Sequence, residues 1–131
     1  MSETTKSIRA EIRRCEGVTP VVLRRIEDAL AAEPNSPELW VLRGDALQLA
    51  EGETTSLEDA RRSYLRAAQI DPSYADAYDS LGHFYFAVID DAKTAIEYFE
   101  AAIARGAGPS AHEGLRKAKE ELSELHSDGA A

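Results

Sequence analysis

Residues 27–47, EDALAAEPNSPELWVLRGDAL, and residues 65–85, LRAAQIDPSYADAYDSLGHFY, are two versions of one pattern. Ala29, Pro34, Trp40, Gly44 and Leu47 of the first stretch recur as Ala67, Pro72, Tyr78, Gly82 and Tyr85 of the second, each 38 residues later. The chain then continues in step, because Ala60-x3-Tyr64-x2-Ala67 is echoed at an offset of 35 by Ala95-x3-Phe99-x2-Ala102. Five matches at one offset are not accidental, and the period lies in the range of repeats built from pairs of helices.

The residue types explain how such a repeat packs. Gly44, Ala60, Ala67, Gly82, Ala95 and Ala102 are small enough to let two helices approach closely. The rings of Trp40, Tyr64, Tyr78, Tyr85 and Phe99 fill the spaces beside them. Helix starts are marked by Thr19-Pro20, Ser36-Pro37, Ser56-x-x-Asp59, Ser73-x-x-Asp76, Asp90 and Ser110-x-x-Glu113, and stops by Gly17, Gly52 and Gly106. These signals predict helices over 4–16, 20–33, 37–50, 57–69, 74–88, 91–105 and 110–125. No segment reads as a strand, so the expected fold is all-α with about seven helices.

The repeated residues resemble the tetratricopeptide repeat, in which an aromatic, Leu-Gly and a second aromatic precede Ala-x3-aromatic and a closing Pro. One unit reads Trp40-x2-Arg43-Gly44-x2-Leu47, Ala60-x3-Tyr64-x2-Ala67-x4-Pro72, and the next reads Tyr78-x2-Leu81-Gly82-x2-Tyr85, Ala95-x3-Phe99-x2-Ala102. Arg43 stands where an aliphatic residue is usual, Leu47 replaces an aromatic, Ala107 replaces the terminal Pro, and EGETTSLE lengthens the first inter-helix loop. The resemblance is good over residues 37–107, and Val22-x3-Ile26-x2-Ala29-x4-Pro34 matches only the second half of a preceding unit. It implies antiparallel helix pairs stacked as a short right-handed superhelix, an α-solenoid, within a single domain 1–131. Its expected parts are a degenerate helix pair 1–36, repeat units 37–72 and 73–107, and a capping helix with a frayed tail at 108–131.

The two ends differ from the repeats. Ala111, Leu115, Ala118, Leu122 and Leu125 form a narrow apolar stripe on a helix otherwise covered in charge. It suits a cap over the open end of the stack, and alternatively a contact between two identical chains. Ile8, Ile12 and Cys15 on one face of the first helix suit the opposite cap.

The sequence has 131 residues, with 15 Lys and Arg against 24 Asp and Glu, a net charge of −9. Residues 1–36 hold 6 basic and 6 acidic side chains, so all of the net charge lies in residues 37–131. Such a surface repels phosphate backbones and anionic lipids, which argues against nucleic acid and membranes as partners. The absence of a long apolar run leads to the expectation of a cytoplasmic protein. A single cysteine excludes an internal disulfide.

The resemblance also implies that the first helix of each pair lines the ligand-binding concave face. The corresponding residues are Glu38, Val41, Asp45 and Gln48, then Asp76, Asp79, His83 and Phe86. Family members that hold acidic chaperone tails clamp two carboxylates with Lys, Arg and Asn; acidic side chains at these places would repel such a tail. The expected ligand is therefore a basic or amphipathic peptide or protein segment, with Val41 or Phe86 as apolar anchor and no cofactor. A homo-oligomerising module, possible as a homodimer, is the alternative. Asp76, Asp79 and His83 share a helical face and pose a remote metal alternative, but no second His lies near in sequence. His112-Glu113 lacks the second His of a zinc-protease motif, and no phosphate loop or nucleophile elbow occurs, so no catalytic activity is expected.

Overall fold

The computed structural model describes residues 3–15, 18–50 and 56–130. Among these the chain is all-α. Its elements are α1 (Glu3–Cys15), α2 (Pro20–Ala32), α3 (Pro37–Leu49), α4 (Ser56–Ile70), α5 (Ala75–His83), α6 (Ala92–Ala104) and α7 (Pro109–Ala130), with a π-helical turn, Phe84–Val88, directly following α5. The expected stops at Gly17 and Gly52, the long loop from Gly52 up to the start of α4 at Ser56, and the side chain of Cys15 lie outside the described residues. Two compact units divide after Pro72.

The first unit contains α1 to α4. Thr19 and Ser36 cap α2 and α3 as their Thr-Pro and Ser-Pro pairs predict, accepting from the Val22 N–H at 3.2 Å and the Leu39 N–H at 3.3 Å. Ile8, Val22, Ile26, Leu30, Leu39, Leu42 and Ala46 form one core from three helices. Burying each large aliphatic chain contributes about 1.5–3 kcal/mol. Arg25 ties α2 to α1 through an ion pair with Glu11 and a 3.2 Å hydrogen bond to the Ser7 hydroxyl. Between α3 and α4 the ring of Tyr64 lies on Gly44, where a Cβ would sit 2.5 Å from the ring.

The second unit contains α5 to α7. Here Phe99 of α6 lies on Gly82 of α5, with a Cβ there 2.6 Å from the ring, and Gly114 of α7 closes on the same ring from another helix. Ala111 and Ala118 of α7 are buried against α6, and Leu115 and Leu122 pack beside them. The apolar stripe of the last helix is thus spent inside its own unit, leaving Leu125 58% exposed. This helix continues to Ala130, past the expected end near Leu125, because no Pro interrupts it.

Three local expectations are corrected. The α5 cap is Tyr74, not Ser73, and makes no side-chain cap bond. The α6 cap is Asp91, not Asp90: its carboxylate accepts from the Thr94 N–H at 3.1 Å and hydroxyl at 2.7 Å. Asp90 instead takes the left-handed conformation, φ 63°, that reverses the chain after the π turn. Ser110 lies within the first turn of α7 rather than ahead of it. At the far end of α6, Gly106 at φ 89° does close the helix as expected, with Gly106 N–H to Ile103 O and Ala107 N–H to Ala102 O both at 3.0 Å.

Candidate functional site

In the first unit the Gly44 gap determines the site. Because the Tyr64 ring crosses under α3 there, its hydroxyl emerges one residue further on and donates to the Asp45 carboxylate at 2.7 Å. Gln48, one turn along, donates to the same hydroxyl. Burial, and then the negative charge of Asp45, push the phenol far above its ordinary pKa, so Tyr64 acts as a fixed donor. Asp45 and Gln48 are therefore held in place from the core. Glu38 is half-buried at the start of α3, and Val41 is 3% exposed and offers almost no surface.

Leu49 supplies what Val41 does not, being 57% exposed. It borders a hollow of about 330 Å³ with Asp45 and Gln48, and one of about 170 Å³ with Leu42, Asp45 and Arg9, Ile12 and Arg13 of α1. Arg9 and Arg13 were missed from sequence. Their spacing of four residues puts them on one helical face, but nothing local shows that this face meets Asp45. The surface around Asp45 is consequently of mixed sign.

In the second unit, Asp76, Asp79 and His83 do share a face of α5, as positions i, i+3 and i+7 require. Asp76 is exposed. The Asp79 side chain is 20% exposed, and its Oδ1 lies 3.2 Å from the half-exposed His83 Nε2. That nitrogen also makes a 2.9 Å hydrogen-bond contact with the Ser110 hydroxyl of α7, and the imidazole meets the Phe99 ring edge-on at 4.8 Å. His83 is thus seated between the acidic face of α5 and the first turn of α7. Phe86 falls in the π turn, whose wider winding takes it out of the register of an unbroken helix. It packs partly buried against the second core. Among the described residues, no group of three or more His, Cys, Asp or Glu is arranged to hold a metal ion. Nor is any helix among them long and apolar enough to cross a membrane.

Comparison with known proteins agrees with this architecture. Residues 56–88 match the family model described as TPR repeat. The Sgt2 TPR domain from Aspergillus fumigatus superposes with a TM-score of 0.80 at 23% identity, covering 95% of this chain and 80% of that one. The first TPR of Spaghetti bound to the HSP90 peptide SRMEEVD gives 0.74 at 18% identity, covering 92% and 90%. The TPR2B domain of yeast Sti1, in a complex with an Hsp70 peptide, gives 0.70 at 21% identity, covering 92% and 99%. No curated protein sequence matches the chain.

Proposed function

The chain is a tetratricopeptide-repeat protein, and from that premise we propose that it is a non-enzymatic scaffold that binds a basic or amphipathic segment of a partner protein. The observation that carries this reading is the outward face of α5, where exposed Asp76 stands one turn from Asp79 on a first helix of a repeat pair. Basic side chains of the ligand pair with these carboxylates. In the first unit, Asp45 takes a basic group beside exposed Leu49, which receives an apolar one. The structural neighbours from Spaghetti and Sti1 hold chaperone peptides, which supports peptide binding as the activity of this fold. The acidic side chains here favour a ligand of opposite charge to SRMEEVD.

The test is affinity capture from lysate at low and high salt with the wild type, Asp45→Lys, and the Asp76→Lys/Asp79→Lys double variant, with mass followed by light scattering. A basic partner kept by the wild type, released by salt and lost with the double variant is the expected result. Equal capture by all three proteins, or a stable dimer that retains nothing, would sink the reading.

A further inference from the structure

A cavity of about 500 Å³ opens between α2, α3 and α4 of the first unit. It belongs to a different side of α3 from the candidate site, since Arg43 in its lining and Asp45 are two residues apart, about 200° around the helix. Comparison of the two repeats shows what is unusual in it. Arg43 holds the position that the second unit fills with fully buried Leu81. Ser63 stands where that unit has Tyr98, whose ring stacks on Tyr85 at 5.3 Å. Arg62 and Arg66 stand where it has Glu97 and Ala101. A corner closed by Leu81 and the stacked Tyr98, and flanked by Glu97, in one repeat is thus an arginine-lined cavity in the other, a local departure from packing that marks a functional position.

The lining is already organised. Trp40 donates its indole N–H to the Pro34 carbonyl at 2.8 Å, which fixes the ring. Arg43 pairs with Glu27 at 2.6 Å and donates to the Ser63 hydroxyl at 2.6 Å, its guanidinium 5.9 Å from the indole. Arg62 and Arg66, one turn apart on α4, make long contacts of 3.5 Å to Glu58 and Gln69. With Glu27 matched by Arg43, the remaining charged lining is Arg62 and Arg66 against Asp59, a net positive site on a chain of net charge −9.

We propose that this cavity is a second binding site, for an acidic peptide segment whose carboxylates meet Arg62 and Arg66 while a neighbouring apolar side chain lies on Trp40 and Leu65. Guanidinium groups match carboxylates in geometry as well as charge. The volume falls within the roughly 300–1,000 Å³ of binding clefts. The site shares no residue with the acidic surface above and prefers the opposite charge, so either can fail alone.

Trp40 is the only tryptophan of the chain, so its fluorescence reports occupancy directly. Titration with acetyl-Glu-Phe-Glu-amide is expected to change Trp40 emission saturably, and acetyl-Lys-Phe-Lys-amide is not. Arg62→Glu/Arg66→Glu should weaken the response at least about tenfold, with Arg62→Gln/Arg66→Gln between it and the wild type. Matching thermal melts of the variants and the wild type separate this loss from unfolding. No saturation with the acidic peptide, an equal response to the lysine peptide, or unchanged affinity in the Glu variant overturns the proposal. Tighter binding of phenyl phosphate than of the acidic peptide also overturns it, in favour of a small aromatic phosphate.

Discussion

Each unit is locked by a ring laid on a glycine, Tyr64 on Gly44 in the first and Phe99 on Gly82 in the second, yet the two rings do different work. Phe99 is apolar and gripped by a second glycine, Gly114, so α5, α6 and α7 converge on it. Tyr64 carries a hydroxyl through the packing to Asp45 and Gln48. In the first unit the core and the candidate site are therefore one hydrogen-bonded system. In the second, Asp76 stands exposed on α5 while the ring is consumed by packing. A repeat can keep its close approach while one hydroxyl decides whether its surface is tied to its core.

Substitutions at the two rings separate these roles, beginning with the largest effect. Phe99→Ala should destabilise by about 3–5 kcal/mol in denaturant unfolding, because a fully buried ring leaves a cavity that three helices cannot close together. A cost under about 1 kcal/mol would mean the second unit does not depend on this ring. Next, Gly114→Ala and Gly44→Ala each force a methyl into ring carbons and should cost roughly 1–3 kcal/mol. Thermal melts of the two variants compare how far each ring can shift.

Tyr64→Phe should cost about 1 kcal/mol, since the half-buried Asp45 loses a donor while the ring still fills its space. The distinguishing readout is the NMR chemical shift of the Asp45 side chain, which loses its donor and should move while that of Asp76 stays unchanged. Equal shifts at both residues would erase the contrast between the units.

The smallest effects concern the end of the π turn, where neighbouring aspartates have opposite parts. Asp90→Gly should stabilise by about 0.5–1 kcal/mol, as glycine adopts φ 63° without a Cβ conflict. Asp91 behaves the other way. Its carboxyl is held below the ordinary 3.8, first by the Thr94 hydroxyl and then by the Thr94 N–H. A depressed folded-state value means that the cap's contribution is present above the unfolded value and is lost as pH falls through the folded one. Titration of Asp91 by NMR should place its midpoint below 3.8, and a midpoint at or above that value would remove Asp91 from the cap.

The recurrence of Gly44 with Tyr64 and of Gly82 with Phe99 made the helix-pair architecture legible, because a ring and the gap that receives it are encoded within one repeat. The caps at Thr19 and Ser36 were legible for the same reason: donor and acceptor lie three residues apart. Ser73 and Asp90 misled, since each stands one residue from the true cap, and helix phase there follows the burial of Ala77 and Leu81 or the widening of the π turn. The pattern of a single helix does not show that Val41 turns inward while Leu49 stays exposed, because that depends on how the neighbouring helices settle against α3.

Sequence by itself determined the helices, their pairing and the small-against-large packing, because these rest on contacts between residues close along the chain or repeated at a regular interval. Only the tertiary structure decided that Gly114 closes on Phe99, that Ser110 reaches His83, that Arg9 and Arg13 stand beside Asp45, and that Trp40 borders a cavity. Those juxtapositions depend on the angle and depth at which one helix settles on another, which many side chains set jointly and no local pattern encodes.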